Sequence, residues 1–191
     1  MLAFMHINLR MGKQMKTISK FAVLVAALVS LSANAEEFKQ TVSAGYAHSS
    51  VEYLGYELDD DTGGFNIKYR MEFNEEYGFI ISHTKTDYNK SGTYSGVSID
   101  ASLDYMSFMA GPTFRANKYF SVYLMAGGAK GEAEASVSSI GSAKESDTSF
   151  SYGGGLQINV TDQFVIDGSY EYSEFNDVNV GTWVVGMGFS F

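Results

Sequence analysis

The chain has 191 residues with no Cys, one Pro, 20 Gly, 13 Tyr and 14 Phe, and a formal net charge of −9. That length allows one domain, and the missing cysteines exclude a disulfide scaffold, thiol catalysis and Cys-ligated zinc. Four of the 13 basic residues lie in the first 35 positions, where no acid occurs; the other nine face 22 acids, leaving −13, which argues against phosphate-mediated binding of nucleic acid.

Residues 15–35 read as a secretory signal peptide. Lys16 and Lys20 form its basic start, Phe21-Ala22-Val23-Leu24-Val25-Ala26-Ala27-Leu28-Val29 its apolar stretch, and Ala33-Asn34-Ala35 its cleavage site. A membrane anchor is the competing reading, but the apolar run falls short of the ~20 residues a spanning helix needs. Residues 1–14 read as an upstream extension of the reading frame, with Met15 the initiator, which leaves 36–191 as the folded domain. No second long apolar run follows, so the remainder is either soluble outside the inner membrane or a barrel, because only helices and closed barrels satisfy their backbone in lipid.

The body reads as strands of period two. In the first, about 40–53, Val42, Ala44 and Tyr46 alternate with Thr41, Ser43, Gly45 and Ala47. An acidic loop over 55–63 follows. The second strand, 64–73, puts Phe65, Ile67, Tyr69, Met71 and Phe73 on one face and Asn66, Lys68, Arg70 and Glu72 on the other. Asn74-Glu75-Glu76 turns. The third strand sets Tyr77, Phe79 and Ile81 against Gly78, Ile80, Ser82 and Thr84, and leads to a loop over 89–96. The fourth, 101–115, sets Met106, Phe108, Ala110 and Phe114 against Tyr105, Ser107, Met109 and Arg115. A short turn at 116–118 precedes the fifth, with Phe120, Val122 and Leu124 against Ser121, Tyr123 and Met125. Residues 132–147, rich in Ser, Ala, Gly and Glu, form the third loop, whose flanks can continue as strand beyond a membrane. The sixth strand pairs Phe150, Tyr152, Leu156 and Ile158 with Ser151, Gly153, Gly155 and Gln157. After a turn at 160–163 the seventh pairs Phe164, Ile166, Tyr170 and Tyr172 with Val165, Asp167, Ser169 and Glu171. A fourth loop at 175–179 leads to the last strand, where Trp183, Val185, Met187, Phe189 and Phe191 share one face.

Eight strands with connections alternating long and short predict an all-β fold, an eight-stranded antiparallel up-and-down transmembrane β-barrel. Alternation alone leaves open a secreted lipocalin-like barrel with its apolar side chains inward. Two features choose lipid outside. The polar face is filled with glycines such as Gly45, Gly111, Gly153 and Gly186, which suit a cramped interior, and the apolar face is bulky and aromatic at the strand ends.

Inward charges are then Lys68, Arg70, Glu72, Arg115, Asp167 and Glu171. Desolvation requires them to pair, so a plug of salt bridges is expected, with a proton or ion path as the sharper alternative. His48 and His83 lack any Gly-x-Ser-x-Gly or His-Ser-Asp context and read as interfacial rather than catalytic. Asp59-Asp60-Asp61 beside Gly63-Gly64 has part of a calcium loop's ligands but not its closing Glu; weak divalent bridging to lipopolysaccharide competes with a solvated acidic loop. The loop residues placed for interaction are Tyr56, Glu57, Asp59, Asp60, Asp61, Tyr94, Glu132, Glu134 and Glu145. Together with Asp147 their acids outweigh Lys90, Lys130 and Lys144, which argues against a heparin-like ligand and weighs against adhesion to an anionic host surface.

Several stretches carry a family likeness: Gly63-Gly64-Phe65-Asn66-Ile67-Lys68-Tyr69-Arg70, Ala110-Gly111-Pro112-Thr113-Phe114-Arg115, Phe150-Ser151-Tyr152-Gly153-Gly154-Gly155-Leu156-Gln157, Ser169-Tyr170-Glu171-Tyr172-Ser173 and Val178-Asn179-Val180-Gly181-Thr182-Trp183. Through them the chain resembles the Ail/OmpX/Lom family of small outer-membrane proteins over nearly all of 36–191. The resemblance implies a filled eight-stranded barrel in the bacterial outer membrane with protruding extracellular strands, no cofactor and no enzymatic activity. It also implies that Phe191 is the signal read by the barrel-assembly machinery. The function expected is a surface that presents loops for adhesion, host-factor binding or serum resistance. The alternatives are a structural or envelope-stress barrel without a protein partner, and an outer-membrane lipid enzyme. Expected partners are outer-membrane lipid and lipopolysaccharide and, through the loops, host or extracellular proteins, with the barrel itself a monomer.

Overall fold

The structure, a computed structural model, describes residues 39–53, 56–94, 97–137, 141–176 and 178–191; within these no side chain is described for 53, 56–61, 90, 93–94, 97–99, 137 and 141. The expected extension (1–14) and signal peptide (15–35) fall outside the described residues.

Eight strands follow in order: β1 (Gln40–Tyr53), β2 (Tyr56–Glu72), β3 (Tyr77–Tyr94), β4 (Val97–Arg115), β5 (Phe120–Val137), β6 (Gly141–Asn159), β7 (Phe164–Phe175) and β8 (Val178–Ser190). Each pairs antiparallel with the next, and β8 pairs with β1 to close the barrel. At the seam Gly45 faces Gly186 and Ser43 faces Gly188. Below them Gln40 and Phe191 exchange both backbone hydrogen bonds at 2.9 Å. Closure leaves no strand edge in the spanning region, which is what lets a sheet sit in hydrocarbon.

Side chains sort by the period-two rule. On β7 the odd-numbered Val165, Asp167, Ser169, Glu171, Ser173 and Phe175 are buried, while Phe164, Ile166, Tyr170 and Tyr172 face out. Leu124 and Met187 are more than 70% exposed, and Trp183 is 60% exposed. Water would not tolerate so large an apolar surface; a bilayer requires it. From Phe164 to Tyr172 the strand advances about 27 Å, which tilt shortens to roughly 20 Å across the sheet, close to the ~25 Å apolar band of such barrels.

The three short turns share one design. Phe73, Ala116 and Val160 donate backbone N–H to the carbonyls of Tyr77, Phe120 and Phe164 at 2.8–2.9 Å. Inside them Asn74 Oδ1, Asn117 Oδ1 and Thr161 Oγ1 each accept two backbone N–H bonds. A short polar side chain that mimics a carbonyl is the reason Asn and Thr stand there.

At the other end the structure corrects the sequence reading. The stretches expected as loops over 55–63, 89–96, 132–147 and 175–179 are largely strand. Residues 56–62 belong to β2, and β3, β5 and β6 run to Tyr94, Val137 and from Gly141. Polar side chains on both faces hide the alternation that marks a half-buried strand. Yet cross-strand pairing still satisfies the backbone in water, so these segments continue as hairpins. At the β7–β8 connection Asn176 takes a positive φ of 33°, which its short side chain tolerates.

Candidate functional surface and barrel interior

Inward positions of eight strands converge on a lumen just wide enough for side chains. Lys68 Nζ donates to Asp167 Oδ1 at 2.6 Å and to Ser169 Oγ at 2.9 Å. Asp167 also accepts from Tyr123 Oη at 3.0 Å and from Gln157 Nε2 at 3.0 Å. Gln157 Oε1 in turn accepts from Arg70 Nη1 at 2.7 Å. Arg70 and Arg115 both hold Glu72 Oε1. One continuous chain therefore runs Arg115–Glu72–Arg70–Gln157–Asp167–Lys68 and links β4, β2, β6 and β7. Glu171 stands apart: Thr84 and Ser107 hydroxyls donate to it at 2.8 Å, and Asn66 braces Ser82 and Thr84 at 2.8 Å each.

All six charges singled out in the sequence lie on the inward face, and five of them join in one chain, with three cations against three carboxylates in the lumen. Gln157 and Tyr123 are linking members that charge reasoning passes over, because neither is ionised; their inward register was the available signal. Ile80, Met109, Tyr123 and Met125 form an apolar cluster on the inward face, so the lumen is not uniformly polar. His83 lies on the outward face, its ring edge-on to Phe65 and its Nδ1 2.9 Å from the Ser107 carbonyl. Among the described residues no group of three or more His, Asp or Glu is gathered to hold a metal.

Above the membrane band the sheet is unequal. The β2–β3 ladder ends at Gly63 and Asp87, and the β6–β7 ladder ends at Ser151 and Ser173. The β3–β4, β4–β5 and β5–β6 ladders continue to Tyr94–Val97, Ile99–Val137 and Val137–Gly141. A four-stranded blade thus rises from β3–β6, and β6 projects about 30 Å of strand beyond Phe150. Its two flanks, 88–94 and 141–149, are paired on one side only among the described residues.

Of the residues expected to interact, the side chains of Tyr56, Glu57, Asp59, Asp60, Asp61 and Tyr94 lie outside the described ones. Glu132, Glu134 and Glu145 lie on the blade, the first bound by Lys144 and by Lys130 at 3.2 Å. Lys144, then Lys130, holds the Glu132 carboxyl below the usual carboxylate range, and Glu132 pushes Lys144 up. Phe191 closes the seam and stacks on Phe189, centroids 6.5 Å apart.

Residues 21–191 match the family described as outer membrane protein beta-barrel domain. The chain is 43% identical over 182 residues to the attachment invasion locus protein of Yersinia pseudotuberculosis, covering 95% of this chain and 98% of that one. It is 35% identical over 178 residues to outer membrane protein X of Escherichia coli K12, covering 93% of this chain and all of the other. The crystal structure of Ail from Yersinia pestis, in complex with the heparin analogue sucrose octasulfate, superposes with a TM-score of 0.77 at 46% identity, over 81% of this chain and 99% of that one. These relatives are named for attachment and for the outer membrane, not for a reaction.

Proposed function

The chain belongs to the outer-membrane β-barrel family of Ail and OmpX and resides in the bacterial outer membrane, and from that premise we propose that it acts without catalysis as a surface attachment protein. The observation that carries the reading is the blade. Strands that continue well past the lipid cost ordering entropy without adding to membrane anchoring, and their half-paired flanks offer backbone donors and acceptors to another chain. The 43% identity to an attachment invasion protein over nearly its whole length supports the same direction. The charge of this blade sets the kind of partner. Asp100, Asp104, Glu132, Glu134, Glu145 and Asp147 outnumber Lys90, Lys130 and Lys144 on it, so a host protein with a basic surface fits better than the polyanion held by the Yersinia pestis relative.

Bacteria displaying the chain, or a version lacking 132–147, are compared for attachment to cultured epithelial cells. Attachment falls to the level of cells without the protein when the segment is removed, while the heat-modifiable barrel band persists. Unchanged attachment with a folded barrel would favour the envelope-stability reading. That second reading has its own observation, the charged network that ties four strands through the lumen, and predicts that loss of the whole protein raises sensitivity to bile salts and detergent. We also propose that the exposed terminal Phe191, already seated at the β1–β8 seam, is what the assembly machinery reads before closure.

A further inference from the structure

At the outer mouth the polar filling gives way to an apolar collar. Tyr105, Ala129, Phe175 and Val180 are buried together, with Val51 and Val178 packed against them. Tyr105 and Phe175 meet edge to face, centroids 6.4 Å apart. Beneath them hydroxyls seal the lumen: Tyr105 Oη lies 2.9 Å from Ser173 Oγ, which donates to Ser151 Oγ at 2.8 Å. Above them opens a cavity of about 390 Å³, within the range of ligand-binding clefts.

The wall of that cavity is acidic. The alternation that turns Ser151 of β6 inward does the same for Asp147 and Glu145, and both border the cavity. Asp147 accepts from Asn176 Nδ2 at 2.9 Å, a neutral donor, and no ion pair meets its charge among the described residues. Asp104 and Glu132 also border the cavity but lie on outward-facing positions, where Lys85 at 3.7 Å and Lys130 and Lys144 meet them. No basic residue lines the cavity among the described residues. An apolar floor under a negative wall with no cation of its own complements one kind of group: an apolar side chain next to a positive one.

We propose that the outer mouth of the barrel binds a basic, amphipathic segment of a partner protein, an apolar side chain entering the collar while a neighbouring Lys or Arg meets Glu145 and Asp147. This deepens the attachment function and rests on that reading for the partner being a protein.

The full chain in phosphatidylcholine nanodiscs is titrated with a short peptide of alternating Lys and Leu, while the aromatic NMR signals of Tyr105 and Phe175 are followed. A Glu-and-Leu peptide and empty nanodiscs serve as comparators. The expected result is a saturable, salt-sensitive shift of both signals with the basic peptide and none with the acidic one. E145Q/D147N weakens binding about tenfold. D87N/E174Q removes the same charge from outward positions and changes binding by less than about twofold. No saturable shift overturns the proposal, and so does equal weakening by the two pairs, which would mean general charge attraction. Cell attachment that depends on 132–147 without any peptide shift would sink this site and leave the attachment reading standing. A peptide shift in a protein whose blade is irrelevant to attachment would do the reverse.

Discussion

Glu72 is the side chain on which most of the charged chain depends, because its carboxylate pairs with both Arg70 and Arg115. Breaking a buried ion pair by removing one member leaves the other's desolvation uncompensated. Glu72→Ala therefore lowers stability by about 3–5 kcal/mol, read as the shift in urea midpoint of the folded band on unheated gels. The two remaining acids differ in kind. Asp167 answers a cation, whereas Glu171 answers hydroxyls. Asp167→Asn strands Lys68 and costs more than Glu171→Gln, whose amide oxygen still accepts from Thr84 and Ser107; equal losses in the same assay would refute this ordering. The sequence shows which of these residues point inward, since alternation alone determines the face. It does not show that Asp167 pairs with Lys68 from a strand 99 residues away, because that contact exists only once the barrel closes.

Elements carry two further expectations. A Cβ at Gly155 would lie 2.5 Å from Tyr123 Cζ and 2.5 Å from the Gly168 carbonyl oxygen. Gly155→Ala must push Tyr123 off Asp167 or bend β6, and destabilises by about 1–3 kcal/mol in the urea assay, whereas Gly168→Ala meets nothing within 4 Å and is close to neutral. On the β5–β6 hairpin, Glu132 has a folded pKa below the ordinary carboxylate value of 4.5, so its contribution is complete above that pH and fades as pH falls through the lowered folded value. Lys144 has a folded pKa above 10.5, so its contribution is complete below that pH and fades as pH rises through the raised folded value. Proteolytic cutting of the hairpin on intact cells should hold steady between these limits and increase modestly outside them; E132Q removes the dependence, and high salt weakens it. Where these hairpins run as strand was the least legible feature of the fold. Their Ser-, Ala- and Glu-rich sequence faces water on both sides, so no burial imprints a period on it.

As a whole the molecule is an apolar shell around a balanced charged filling. Three cations and three carboxylates fill the lumen together with the Ile80–Met109–Tyr123–Met125 cluster, and eight strands leave no room for a water column beside them. Purified protein in planar bilayers should give no stepwise conductance; discrete channel steps at neutral pH would contradict the sealed lumen. Heating should convert a fast-migrating folded band to the slow unfolded one, with cleavage on cells confined to the blade and its neighbouring hairpins.

The sequence by itself determined the strand count, the short turns, the lipid-facing side of each strand and the six inward charges. All of these follow from local periodicity and from the requirement that every backbone group be paired in lipid. Only the tertiary structure decided which charge meets which, that the acidic stretches extend into a blade, and that Tyr105, Phe175 and Val180 gather at the mouth. Each of those depends on the stagger of strands around a closed barrel, a long-range register that no window of sequence contains.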